Sequence, residues 1–311
     1  MRHPQREPMP GMPERVRIYE VGVRDGLQNE KTAVPVETKA EFVRRLLAAG
    51  LETIEVTSFV SPTWVPQLAD AAELIGLLGD DGLGRHRPVL TPNEKGLDRA
   101  LELGVSAVAI FGSATETFSR KNLNRSVAES VEMFAPVVAR AKDAGAWVRA
   151  YVSMCFGDPW EGDVPMAQVV DSARRFMDLG ADELSIGDTI GVATPGHTRA
   201  LLEALVAGGI PIERIAVHFH DTYGQALANT IEAIRYGVST VDASAGGLGG
   251  CPYAKSATGN LATEDVVWAL EGMGVDTRVD LEALVAASAW MAERLGRPSS
   301  SSVVRALASG S

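Results

Sequence analysis

The sequence predicts an α/β fold, a (β/α)8 TIM barrel carrying an extra C-terminal helix, and three observations lead there. Short β-branched runs alternate with amphipathic stretches of helical length about eight times along the chain. Glycines follow the helical patterns at Gly50, Gly104, Gly145, Gly180 and Gly237, where a helix commonly ends in a left-handed residue. Ionisable residues gather at the C-terminal ends of the strands, the face on which barrel enzymes build their sites. A doubly wound open sheet is the alternative that the same alternation allows.

The first strand is read over 17–21 and leads into Arg24-Asp25, and a helix follows over 36–49. The second strand, 53–58, carries Glu55 and Ser58, and the third and fourth are 88–91 and 107–111. After a helix over 127–144 comes the fifth strand, 148–153. A helix over 166–179 precedes the sixth, 183–187, which Asp188 ends. The seventh strand, 215–220, finishes on His218 and His220, and a helix spans 225–236. The eighth, 240–244, runs into a glycine-rich loop, and 281–295 is the additional helix. Domain organisation follows: a flexible tail over 1–13, the barrel over 14–298, and a tail over 299–311 that is expected to fray after its serine run.

Composition narrows the function classes. At 46% hydrophobic and 22% charged, the chain has soluble globular character. No apolar run approaches the roughly 18 residues of a membrane helix, and the first residues lack the apolar stretch of a secretory signal. Two cysteines, Cys155 and Cys251, cannot build a disulfide scaffold, so a reducing cytoplasm is the expected setting. A net charge of −11 argues against nucleic acid as a partner but leaves room for an anionic small molecule held by a local basic cluster. A homodimer or larger homo-oligomer is the expected assembly.

The chemistry is concentrated in a few residues. His218 and His220 are two apart at a strand end, so both imidazoles leave one face of the sheet. Asp25 adds a hard oxygen. A mixed oxygen and nitrogen set without thiolate suits Mg2+ or Mn2+ better than structural zinc, although ligand type alone leaves zinc and cobalt open. Asn260 is a candidate fourth ligand, and a helix cap ahead of 261–264 is the plainer reading of that residue alone. Arg24 sets a permanent cation beside Asp25, suited to a developing enolate or carboxylate. An ion pair with Glu55 or Glu20 is the alternative, and both roles can hold at once. Gly246, Gly247, Gly249 and Gly250 let the backbone approach a ligand or move as a flap. Cys251 beside them is read as a proton donor or nucleophile, and Cys155 as core packing.

Several motifs together resemble 3-hydroxy-3-methylglutaryl-CoA (HMG-CoA) lyases. They are Val21-Gly22-Val23-Arg24-Asp25-Gly26-Leu27-Gln28-Asn29-Glu30, Thr57-Ser58-Phe59-Val60-Ser61-Pro62, His218-Phe219-His220-Asp221-Thr222-Tyr223-Gly224, Gly247-Leu248-Gly249-Gly250-Cys251-Pro252-Tyr253-Ala254 and Gly259-Asn260-Leu261-Ala262-Thr263-Glu264-Asp265. The resemblance runs from about Val16 to Arg297, and the cysteine loop is its most diagnostic part. It implies a divalent-metal barrel that cleaves HMG-CoA to acetyl-CoA and acetoacetate, with Asp25, His218, His220 and Asn260 on Mg2+ or Mn2+. It further implies that Arg24 assists the enolate, that Cys251 sits in a mobile loop over the site, that Glu55 and Asp188 support the catalytic geometry, and that Glu264 supports the loop. Arg24, Gln28, Lys121 and Asn122 are the residues expected to bind the CoA thioester, and His218 or Asp188 is expected to accept the hydroxyl proton. Val23, Lys255-Ser256 and 154–158 depart from the common pattern near the barrel mouth, which bears on acyl-chain choice rather than reaction type. The competing readings are a lyase for a related thioester such as citramalyl-CoA, an acyltransferase like isopropylmalate synthase, and a barrel that only binds.

Overall fold

Period-two alternation sorts the strand residues of this barrel into two cores. In the computed structural model, which describes residues 3–250 and 259–308, the strands are β1 (Arg17–Glu20), β2 (Thr53–Ile54), β3 (Thr57–Ser58), β4 (Val89–Leu90), β5 (Ala107–Ser113), β6 (Trp147–Ser153), β7 (Glu183–Asp188), β8 (Ile215–Phe219) and β9 (Thr240–Ala243). Val108, Ile110, Val148, Val152, Ile186 and Val217 pack outward against the helices. Tyr19, Leu90, Ala109 and Tyr151 form a separate cluster inside the barrel.

All neighbouring strands are parallel, in the order β2-β1-β9-β8-β7-β6-β5-β4-β3. β2 and β3 are two halves of the segment expected as one strand. The first half pairs with β1 and the second with β4, so the ring closes through this segment with eight staves. Glu55 and Val56 sit at the changeover, where Glu55 N donates to Glu20 O at 2.9 Å and Val56 N to Pro88 O at 3.1 Å. Pairing of β1 with β9, from Arg17↔Thr240 to Glu20↔Ala243, closes the sheet on itself and removes the open-sheet alternative.

The helices are α1 (Val36–Ala48), α2 (Ala71–Leu78), α3 (Glu94–Glu102), α4 (Glu116–Leu123), α5 (Val127–Asp143), α6 (Met166–Asp178), α7 (Pro195–Ala207), α8 (Ala226–Tyr236), α9 (Thr263–Gly272), α10 (Leu281–Leu295) and α11 (Ser302–Ala308). Side-chain caps start several of them, including a reciprocal Ser126–Glu129 box on α5 and Asp280 on α10. The five glycines expected at helix ends all have positive φ, between 74° and 127°. α10 is the extra helix, fixed to α1 by Trp290 stacked on Phe42 at 6.5 Å with the Arg45 guanidinium 4.6 Å from the same ring. No helix among the described residues is long and apolar enough to cross a membrane.

The described residues of both expected tails make contacts with the barrel. Residues 3–13 are laid along the turn after α9, with Glu7 N on Gly272 O at 2.8 Å and Met9 N on Met273 O at 3.0 Å. In the serine run, Ser299 and Ser301 are buried and lead into α11. Ser299 Oγ donates to Gly246 O at 2.8 Å and Ser301 Oγ to Asp265 Oδ1 at 2.7 Å. These hydroxyls have distant partners, which is why composition alone suggests a loose tail.

Gly112 in β5 lies directly under α6, where an added Cβ would stand 2.2 Å from the Phe176 ring. Gly112→Ala should therefore overpack this interface and lower stability by about 1–3 kcal/mol, read as a lower denaturant midpoint. An unchanged midpoint would mean that α6 shifts freely.

Candidate active site

Arg24 and Asp25 reach the C-terminal mouth because the chain makes a single π-helical turn, Gly22–Gly26, after β1. Asp25 N and Gly26 N both donate to Val21 O, at 2.8 and 3.1 Å. The glycines are needed for close approach: a Cβ on Gly26 would lie 2.8 Å from Leu248 Cβ, and one on Gly22 would lie 2.6 Å from Glu20 Oε1. Arg24 is thereby almost wholly buried, with Nη1 donating to Asp25 Oδ1 at 2.7 Å and Nε to Glu55 Oε1. Glu55 Oε2 accepts from the Tyr19 and Tyr151 hydroxyls, each at 2.7 Å. Of the two sequence alternatives for the partner of Arg24, Glu55 is the one found. Burial works against the charge on Arg24, but Glu55 and then Asp25 outweigh it and raise its pKa above the ordinary arginine value.

One ligand atom each from Asp25, His218 and His220 lie within 4.8 Å of one another. Residues 259–261 pair antiparallel with the end of β8, through Asp221 N on Gly259 O at 2.8 Å and Leu261 N on Phe219 O at 3.1 Å. That pairing brings Asn260 to the cluster, where Nδ2 donates to Asp25 Oδ2 at 2.8 Å and to Leu248 O at 3.1 Å. α9 starts at Thr263 after Ala262, so Asn260 is not its cap. Gln28 Nε2 holds the other Asp25 oxygen at 3.0 Å. Two lone-pair atoms here, Asn260 Oδ1 and His220 Nδ1, are buried without a hydrogen-bond partner among the described residues. Buried polar atoms are rarely left so, and the donor set Asp, His, His, Asn fits a divalent cation. Burial would raise Asp25, yet Arg24 and then the two histidines bring it down to about 2, and burial lowers His220 to about 4. Both are thus in ligating forms, carboxylate and neutral imidazole.

These residues open on a cavity of about 580 Å3 at the strand ends, lined among others by Arg24, Asp25, Gln28, Asn122, His218 and His220. Some expected residues lie elsewhere. Glu55 is fully buried behind Arg24. Asp188 is buried too, its oxygens taken by Val192 N at 2.9 Å and Ala193 N at 3.0 Å, so it braces the turn after β7. Burial raises its pKa to about 6. Lys121 does not line the cavity but rests 4.9 Å over the Trp160 ring, because α4 turns it away from Asn122. Cys251 lies outside the described residues. Its neighbour Gly250 lines the cavity, and a Cβ on Gly259 would be 2.7 Å from Gly250 N, so residues 250 and 259 meet at the mouth. Cys155 is a buried thiol that burial pushes up to about 12.

The sequence reading overlooked a polar layer one step below the mouth. Asp242 Oδ2 lies 3.2 Å from His218 Nδ1 and accepts from Ser185 Oγ at 3.0 Å, while Oδ1 accepts from Arg149. Arg149 is completely buried, its guanidinium 3.7 Å from the Tyr19 ring and 4.9 Å from that of Tyr151. The signal was present as alternation: Arg149 and Tyr151 interleave with Val148, Ala150 and Val152, and Asp242 stands between Val241 and Ala243.

Beneath the glycine loop lie two buried carboxylates. Glu20 Oε1 accepts from Gly22 N at 2.7 Å and Ala245 N at 2.8 Å, and Glu20 Oε2 accepts from Thr263 Oγ1 at 2.6 Å. Glu264 accepts from Gly246 N at 3.0 Å on both oxygens and from Ser288 Oγ. They hold a turn in which Gly246 and Gly247 have φ of 70° and 64°.

Comparison with known proteins agrees with this geometry. The family model described as HMGL-like matches residues 15–291. The chain is 50% identical over 296 residues to the mitochondrial hydroxymethylglutaryl-CoA lyase of Rattus norvegicus, covering 95% of this chain and 90% of that protein. It is also 50% identical over 297 residues to the mitochondrial hydroxymethylglutaryl-CoA lyase of Arabidopsis thaliana, covering 96% of this chain but only 63% of that longer protein. The crystal structure of hydroxymethylglutaryl-CoA lyase from Pseudomonas aeruginosa superposes with a TM-score of 0.93 at 47% identity, covering 97% of this chain and all of that one.

Burial raises Glu264 to about 8, with Glu20 adding to the shift, and raises Glu20 to about 7, from an ordinary 4.5. In this interval the folded protein holds protons that the unfolded chain has lost, so these groups make stability fall as pH rises, until about pH 8. Glu264→Gln keeps an acceptor for Gly246 N and cannot ionise. Its denaturation midpoint should fall less steeply than the parent's between about pH 6.5 and 8. Equal slopes would show that Glu264 does not titrate there.

Proposed function

The chain belongs to the HMGL-like family, and from that premise we propose that it is a divalent-metal-dependent hydroxymethylglutaryl-CoA lyase, cleaving HMG-CoA to acetyl-CoA and acetoacetate. The observation that carries the reading is the meeting, on one cavity wall, of a buried, permanently charged Arg24 with the Asp25, His218, His220 and Asn260 cradle. Mg2+ or Mn2+ suits that donor set, and when bound such an ion makes the tertiary hydroxyl more acidic and polarises the oxygen at the bond to be broken.

The chain's own residues account for the remainder. In retro-Claisen cleavage the hydroxyl proton leaves, the C2–C3 electron pair moves onto the thioester as an enolate, and that enolate takes up a proton at carbon. Arg24 is assigned to the enolate oxygen: Glu55 and Asp25 fix its orientation, so little reorganisation is needed as charge develops. Gln28 and Asn260 hold the two Asp25 oxygens and keep that carboxylate facing the cavity. Asp188, which burial raises to about 6 and which lies within the field of His218, is proposed to take the hydroxyl proton, while His218, with Nδ1 on Asp242, is assigned to positioning. Cys251, one residue beyond Gly250 on the cavity wall, is proposed to protonate the enolate carbon, since a thiol is a competent acid near neutral pH. The open cavity beside Asn122 and Lys31 is where the CoA arm would enter. The two thiols, one of them free and buried, fit the proposed cytoplasmic setting.

A panel of CoA thioesters assayed with chelated and metal-restored enzyme tests the assignment. HMG-CoA should give the highest kcat/KM, with activity lost on chelation and restored by Mg2+ or Mn2+. A higher kcat/KM on citramalyl-CoA would replace the substrate, and full activity after exhaustive chelation, verified by elemental analysis, would remove the metal. Arg24→Gln should lower kcat by about 10²–10³-fold with little change in KM, the pattern of a lost oxyanion donor. Near-native kcat with a raised KM would reduce Arg24 to a binding residue.

A further inference from the structure

We propose that Asp242 is a positioning residue for metal binding, fixing the ring of His218, and that Arg149 holds Asp242 in place for that purpose. The proposal rests on the divalent-metal reading of the Asp25, His218, His220 and Asn260 cluster. An ionised carboxylate only accepts, so at 3.2 Å the hydrogen of the contact belongs to His218 Nδ1. That choice leaves the lone pair on Nε2, the nitrogen then available to a metal.

Three donors converge on Asp242. Ser185 Oγ and His218 Nδ1 share Oδ2, and Arg149 Nη2 takes Oδ1, so the carboxylate has a single orientation. Its side chain is entirely buried below the cavity, which keeps it from touching substrate. The cost of this arrangement argues for a purpose. Arg149 is fully buried, yet its Nε and Nη1 make no hydrogen bond, with Nε 3.4 Å from Glu183 Oε1. Apolar side chains in place of the whole buried group, Arg149 with Asp242 and Glu183, would often fill a barrel interior with equal or greater stability, whereas losing Arg149 alone would strand two buried carboxylates. A polar layer retained on those terms is accounted for by what it does to His218.

The test is Mn2+ binding to metal-free protein, followed by calorimetry and by the electron paramagnetic resonance signal of free Mn2+. Asp242→Asn keeps the volume and removes the charge that selects the tautomer. It should bind Mn2+ about 10–100-fold more weakly while retaining the parent circular dichroism spectrum. Ser185→Ala, a milder change that loosens the same oxygen, should weaken Mn2+ by a few-fold. Folded Asp242→Asn protein with parental Mn2+ affinity overturns the proposal. If that variant does not fold, parental affinity in Ser185→Ala overturns it instead. Absence of Mn2+ binding by the parent protein would overturn the metal reading and this inference together, whereas tight binding by the parent and by Asp242→Asn alike removes the inference alone.

Discussion

A positive charge at the centre of the barrel organises what surrounds it. Branched aliphatic side chains usually fill such interiors in layers. Here Arg149 occupies the middle, between the rings of Tyr19 and Tyr151 and against Asp242. Water cannot solvate it there, so every acceptor and π-face nearby is drawn into its field. Through Asp242 it meets His218. Through the two tyrosines, whose hydroxyls share Glu55 Oε2, it meets the carboxylate that holds Arg24. The two arms of the site, the Asp25–His218–His220 cluster and Arg24, therefore stand on one buried guanidinium.

How much of this could be read from the residues divides along a physical line. Local periodicity and the residues that terminate it were legible: the five glycines past helix ends, the eight staves, and the strand-end placement of Arg24, Asp25, His218 and His220. Properties created by distant partners were not. Arg149 and Asp242 are 93 positions apart, and each looks like an ordinary charge in its own strand. Asn260 reads locally as a cap, and only its pairing beside β8 turns it toward Asp25. The segment 53–58 reads as one strand because nothing in its own residues says that its hydrogen bonds are divided between two neighbours. Lys121 and Asn122 are adjacent in sequence, but a helix turns neighbours about 100° apart, so one faces the cavity and the other Trp160.

The glycine turn at the mouth illustrates a different economy. Its backbone adopts left-handed angles at Gly246 and Gly247, and the groups that hold it come from four separate places: Glu20 at the end of β1, Glu264 on α9, Ser288 on α10 and Ser299 ahead of α11. A turn fixed from so many directions gives the segment that follows it a rigid base. The residues past β9 thus serve the site, although among the described residues none of Ser288, Ser299 and α11 lines the cavity.

Closure of the ring also sets an order of events while the chain is being made. β1 pairs with β9 through Arg17 and Thr240, residues 223 positions apart. At ordinary elongation rates, about 5–20 residues per second, the first strand leaves the ribosome roughly 10–45 s before its partner exists. Asp25 travels with that early segment, whereas Asn260, which bonds to it, is made 235 residues later. The Asp25, His218, His220 and Asn260 side chains therefore come together only once the ring has closed, and no shorter length of nascent chain can assemble that cluster.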